Sequence, residues 1–153
     1  MRSAHEWLSA YSRDHKNPTN VKIHKVCVPL ILFSVLSLLW TIPTPLFFDS
    51  FKPFPLNFAT LFALGCLIFY FFLDKLFFTI MFLVAIFFLT IIYFWSKQDH
   101  FLLANIFIFI ISWIGQFIGH KIEGQKPSFF EDLQFLLIGP LWVVKDIRST
   151  LIK

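Results

Sequence analysis

Two short stretches of this sequence concentrate side chains able to do chemistry. "HKNPTNVKIH" (residues 15–24) begins and ends on histidine, and "GQFIGHKIEGQKP" (residues 115–127) places Gln116, His120 and Glu123 where a long apolar run gives way to charge. Imidazole nitrogens suit iron, zinc, copper or nickel, so three rings brought together from opposite ends of the chain would make a metal site. On a helix, steps of four and three residues put Gln116, His120 and Glu123 on one side. A polar stripe turned toward hydrocarbon is costly, which predicts that it faces the protein interior or a wet cavity. His15 and His24 would point opposite ways on one continuous helix. Pro18, with Asn17 and Asn20, predicts a turn or a helix start between them, which lets both rings aim at one point. The plainer alternatives stand beside these. Each histidine can be a polar anchor at a membrane boundary, Asn17 and Asn20 can be turn and cap residues, and Gln116 can be an interhelical hydrogen-bond partner.

The elements that must position these residues are apolar. Of the 153 residues, 58% are hydrophobic and 14% charged, against about 45–50% and about 25% in soluble domains. So small a core cannot hide that much hydrocarbon. Four windows lack Asp, Glu, Lys and Arg: Val26–Phe48, Pro53–Leu73, Leu76–Ser96 and His100–His120. Each is close to the roughly 20 residues that cross a bilayer as a helix. The expectation is an all-α integral membrane bundle of four transmembrane helices, at Val26–Ile42, Leu56–Leu73, Leu76–Trp95 and Phe101–Gly119. It forms a single membrane domain, with a polar segment before it (1–25), the core (26–119) and a polar segment after it (120–153).

Pro43, Pro45, Pro53 and Pro55 predict an irregular loop on the membrane surface. Trp40, Tyr93, Trp95 and Trp113 sit toward helix ends, as interfacial aromatics do. In the tail, Ser128 with Glu131 three residues later is a capping-box pattern. The uncharged stretch Leu133–Val144 is too short to span and is interrupted by Gly139-Pro140, which predicts a C-terminal interfacial or re-entrant helix. The first 25 residues show no cleavable-leader pattern, so the first apolar helix is expected to be its own anchor. Cys27 and Cys66 fit no metal spacing and read as packing residues.

Charge sets the orientation. With four spans, Arg2, Arg13, Lys16, Lys22, Lys25, Lys75, Lys121, Lys126, Lys145, Arg148 and Lys153 fall on one side, and only Lys52 and Lys97 on the other. The positive-inside rule then puts both termini in the cytoplasm. This distribution accounts for the net charge of +4 without a nucleic-acid partner. It also sorts the histidines. His15, His24 and His120 share the cytoplasmic boundary, His100 lies on the far side, and His5 is near the N-terminus. The sequence has no G-x-S-x-G elbow, Walker loop, H-E-x-x-H or His-x-x-His-His box, and its spans carry too few charges for a transport path.

"YSRDHKNPTNVKIHKVCVPLI", followed after an apolar middle by "WIGQFIGHKIEGQKP" and "LLIGPLWVVKD", resembles the family of the fungal 2-hydroxy fatty acid dioxygenase across essentially the whole chain. The matching positions are Tyr11, His15, Asn17, Pro18, Asn20, His24 and Pro29 at one end, and Trp113, Gln116, Gly119, His120 and Pro140 at the other. The resemblance implies an enzyme of lipid α-oxidation and sphingolipid breakdown. Such an enzyme uses Fe(II) and O2 to convert a 2-hydroxy fatty acid to the acid one carbon shorter, with release of CO2. It implies His15, His24 and His120 as iron ligands, the same three that topology groups. Asn17, Asn20, Gln116 and Glu123 would then orient the rings, and Lys22, Lys25 or Lys121 would steer the substrate carboxylate. The acyl tail would lie among Phe-rich helices in the bilayer.

The chain departs from that pattern in two places. Only Lys121 and Ile122 separate His120 from Glu123, one residue fewer than the family spacing, and Asp146 stands where a glutamate is expected. Two other classes remain open: a zinc-dependent membrane lipid hydrolase, and a non-enzymatic lipid-binding or assembly protein. A bacterial inner membrane is the favoured location, and the endoplasmic reticulum the alternative.

Overall fold

The computed structural model describes residues 4–13, 15–46, 48, 56–124 and 137–143, and every regular element among them is helical. The helices are α1 (Ala4–Arg13), α2 (Pro18–Trp40), α3 (Phe58–Leu73), α4 (Lys75–Trp95) and α5 (Phe101–Glu123). Residues 138–143 add a short helical turn. The Ser128/Glu131 capping pattern, Pro53, Pro55 and Asp146 lie outside the described residues, as do most of the expected tail helix and the basic residues beyond it.

The apolar windows locate the helices, but caps locate their ends. α2 begins at Pro18 rather than Val26. The Asn17 side chain accepts from Thr19 N at 2.9 Å, and the Asn17 carbonyl accepts the first helical bond from Val21 N at 3.0 Å. Asn17 is therefore an N-cap with proline at the first helical position, where no donor is missed. α5 runs past Gly119 to Glu123 and stops at Gly124, whose φ of 78° is the left-handed conformation common just beyond helix ends. The longer α5 leaves Trp113 in mid-helix rather than near an end. Ahead of α2, the polar segment that sequence left without structure forms α1, which buries Leu8 and Tyr11.

Asp74 makes the connection between α3 and α4. Its backbone N–H closes α3 on Tyr70 O at 3.0 Å, and its carboxylate accepts from Leu76 N and Phe77 N at 2.8 and 3.0 Å. One residue thus caps two helices. α2, α4 and α5 are long and apolar enough to cross a membrane. α3 has 16 residues, about 24 Å of helix against about 30 Å of bilayer hydrocarbon.

The distribution of polarity is inside out. Phe72, Leu83, Phe87, Phe94, Leu103 and Phe107 are exposed, whereas Ser34, Ser37, Asn105, Ser112 and Gln116 are buried. Only 11% of the apolar window of α4 is buried. Apolar side chains facing outward and polar ones inward suit hydrocarbon as the solvent, the arrangement of an integral membrane protein.

The chain divides into two compact units. One contains residues 33–109. In it α3 packs on α4, and rings interleave where Phe33 meets Phe88 edge-on at 5.3 Å and Trp95 meets Phe101 at 5.4 Å. The other contains residues 1–32 and 110–153, and it holds every histidine of interest except His100.

Candidate metal centre

His15 lies in the non-helical link 15–17 between α1 and α2. It and His24 therefore do not ride on one continuous helix. His24 is in the second turn of α2, and His120 is in the last turn of α5. The three rings meet edge to face, with centroids 4.4 Å apart for His15–His24, 5.1 Å for His24–His120 and 5.8 Å for His15–His120. One nitrogen from each lies within 4.8 Å of the other two, and all three residues are buried. His100 is exposed at the start of α5 and is not in the group.

Two of the rings are oriented by backbone. His15 Nδ1 donates to Tyr11 O at 2.7 Å, and His24 Nδ1 donates to Asn20 O at 3.1 Å. A carbonyl only accepts, so each Nδ1 carries the proton, and in the neutral form of such a ring the lone pair is on Nε2. Tyr11 is in the last turn of α1, where carbonyls lack helical donors, so the His15 ring also caps that helix. Metal-bound histidines commonly give their second nitrogen to such an acceptor. At His15 Nδ1 and His24 Nδ1 that acceptor is a backbone carbonyl.

Glu123 lies at the start of charged sequence, beyond the uncharged window that ends at His120. Its carboxylate accepts from Lys16 N at 2.9 Å, from Asn17 N at 2.9 and 3.1 Å, and from Asn20 Nδ2 at 2.9 Å. Burial acts to raise its pKa, but the bonds from Asn20, Asn17 and Lys16, with the proximity of His15, outweigh burial and hold the carboxyl below its ordinary range. An anion here also suits the N-terminal pole of α2. Asn20 is fully buried. Gln116 lies one turn before His120 on the same side of α5, is buried, and its Nε2 meets no acceptor among the described residues. Lys22 and Lys121 are exposed, and Lys25 is half-buried.

Close approach of α5 to α2 depends on two glycines. A Cβ at Gly119 would collide with Asn20 Oδ1 and stand 3.4 Å from His24 Cε1, and a Cβ at Gly115 would come within 2.6 Å of Cys27 Sγ. Gly115 and Gly119 make the G-x-x-x-G spacing that lets helix backbones touch. Asn20 Oδ1 itself is buried and meets no hydrogen-bond donor among the described residues. His15 also has an aromatic wall. The Tyr11 ring stacks on it at 4.1 Å and 2°, and Trp142 leans on both at 5.2 and 5.5 Å. Trp142 Nε1 donates to Ser12 Oγ at 2.9 Å, which donates to Leu8 O at 2.8 Å. Gly115, Ser12 and Trp142 were not singled out from sequence. The G-x-x-x-G spacing was a usable signal for the first, and nothing marked the other two.

The arrangement fits a metal ion. Nitrogens within 4.8 Å of one another leave a point about 2.8 Å or less from all three, so ring shifts of under about 1 Å give ordinary metal–imidazole bonds of about 2.1 Å. Three imidazole ligands leave coordination positions for other ligands, as catalytic sites require. A family model described as "2-hydroxy-palmitic acid dioxygenase Mpo1-like" matches residues 1–151. No curated protein and no solved structure matches the chain.

Proposed function

We propose that this chain, which belongs to the Mpo1-like family, is an Fe(II)- and O2-dependent enzyme that shortens a 2-hydroxy fatty acid by one carbon and releases the carboxyl carbon as CO2. His15, His24 and His120 are its iron ligands in this reading. The observation that carries it is the convergence of three buried imidazoles, two of them with Nδ1 bonded to a backbone carbonyl. Bound there, iron supplies the O2 chemistry that side chains alone lack.

The chain's own residues bind and orient. Tyr11 and Trp142 wall off one side of His15 and keep water from that ring. Lys22, Lys25 and Lys121, near His24 and His120 in sequence, draw a carboxylate toward the centre. The apolar surfaces of the helices leave the acyl tail in hydrocarbon, so a substrate delivered by the membrane need not enter water. The proposal places the protein as one membrane domain with four spans, both termini and the histidines on the cytoplasmic side, and the tail helix at the interface. The bacterial inner membrane is the favoured location. Asp146 keeps its proposed role as a supporting carboxylate.

Elemental analysis of detergent-purified protein tests the assignment. About one iron per chain is expected in the wild type, with loss of iron and of 2-hydroxy acid turnover in each of His15→Ala, His24→Ala and His120→Ala. Zinc in place of iron would favour hydrolysis, since three histidines also suit zinc with an activated water. No metal after anaerobic reconstitution would leave a lipid-binding or assembly protein with histidine anchors.

A further inference from the structure

We propose that Glu123 is a positioning residue: a carboxylate latch that holds the last turn of α5 on the first turn of α2 and so fixes the spacing of the three histidines. The inference rests on reading those histidines as metal ligands, and it gives Glu123 a role other than that of a fourth ligand or a ring acceptor.

The contacts make a short mechanical path to each ring. Glu123 is less than one helical turn beyond His120. Its carboxylate holds the backbone N–H of Lys16, the residue next to His15. It also holds the side-chain amide of Asn20, whose own carbonyl fixes His24 Nδ1. One group thus touches the immediate neighbour or the orienting residue of two histidines while being carried by the helix of the third. Both of its oxygens lie within 3.1 Å of N–H donors. A metal would have to take a lone pair already engaged by the start of α2.

The chemistry requires a carboxylate in particular. All the groups around it donate, so an amide would turn its own NH2 onto one of them. Aspartate keeps two acceptor oxygens but is shorter by one methylene. The spacing between His120 and Glu123 is then not a defect in the pattern. With α5 unbroken to Glu123, that spacing turns the carboxylate toward α2 on the same side as Gln116 and His120.

Cobalt(II) is the probe, because its visible absorption reports the ligand set and its titration reports affinity. Full-length protein in detergent is titrated as wild type, Glu123→Gln, Glu123→Asp and His120→Ala. The expected result is one cobalt site in the wild type and none in His120→Ala. Glu123→Gln should keep the wild-type spectrum with affinity weakened about 10- to 100-fold, the usual cost of removing a group that supports metal ligands, and Glu123→Asp should recover part of the loss. Equal affinity in wild type and Glu123→Gln, even with a lower Tm for the metal-free variant, would reduce Glu123 to a structural tie and overturn the latch. A changed spectrum in Glu123→Gln would make it a ligand and overturn it equally. Absence of cobalt binding in the wild type would instead refute the three-histidine reading beneath it. Should Glu123→Gln not fold, Glu123→Asp carries the test, and wild-type affinity together with a wild-type Tm would speak against the latch.

Discussion

Alanine at Gly119 adds a single methyl group at the tightest point between α5 and α2. That methyl would overlap Asn20 Oδ1 and lie 3.4 Å from both Asn20 Cγ and His24 Cε1. Ordinary contacts between heavy atoms are about 3.5–4.0 Å, so the surfaces must part by about 1 Å on the Asn20 side. Two relaxations are open. The Asn20 amide can swing away, which breaks its 2.9 Å bond to Glu123. Otherwise α5 can retreat from α2 and take His120 with it. Overpacking of this kind costs about 1–3 kcal/mol. If most of that falls on the metal-bound state, affinity drops by about 5- to 150-fold. The helix propensity of alanine works in the other direction by up to about 1 kcal/mol, and Gly65→Ala isolates that term, because nothing lies within 4 Å of a Cβ built there. Thermal unfolding in detergent, with and without metal, is the assay. Gly65→Ala should hold or raise Tm, whereas Gly119→Ala should lower Tm and weaken metal binding. A Gly119→Ala protein with wild-type Tm and wild-type metal affinity would refute the close-crossing argument.

Substitutions at two further positions separate the centre from its surroundings. Trp142→Phe keeps a ring against Tyr11 and His15 but loses the bond to Ser12, so it should cost about 1 kcal/mol; Trp142→Ala also opens a cavity and should cost about 3–5 kcal/mol, both measured by unfolding in detergent. Asp74→Ala removes the cap on α4, with an expected loss of about 0.5–2 kcal/mol and no change in metal content, since Asp74 belongs to the unit without the three histidines.

What the sequence made legible follows from which forces act on side chains alone. Helix positions were readable because hydrocarbon excludes charge over a fixed thickness: the windows ending near Leu73 and Trp95 match the ends of α3 and α4 closely. The start of α2 and the end of α5 were not readable from hydropathy. A capping asparagine and a left-handed glycine extend those helices into charged sequence, past Val26 and Gly119. α1 escaped because it has no apolar window and buries only part of one face, including Leu8 and Tyr11.

The histidines show the same division at the candidate site. That His15, His24 and His120 could meet followed from counting charges and placing all three at one membrane boundary, a long-range constraint that needs no contact map. How they are held did not follow, because the acceptors for His15 and His24 are backbone carbonyls four residues upstream. Every residue has a carbonyl, so composition cannot mark the two that matter. Only conformation does. The end of α1 leaves the Tyr11 carbonyl without a helical donor, and the second lone pair of the Asn20 carbonyl remains open to a ring one turn later. For His15 Nδ1 and His24 Nδ1 the acceptor is therefore backbone, which side-chain chemistry alone does not mark. Asn17 caps α2, and Asn20 and Glu123 join α2 to α5. The centre depends on them through the distance between two helices, which is why a methyl group at Gly119 and an amide at Glu123, neither on an atom that would touch a metal, should both be read in the metal's affinity.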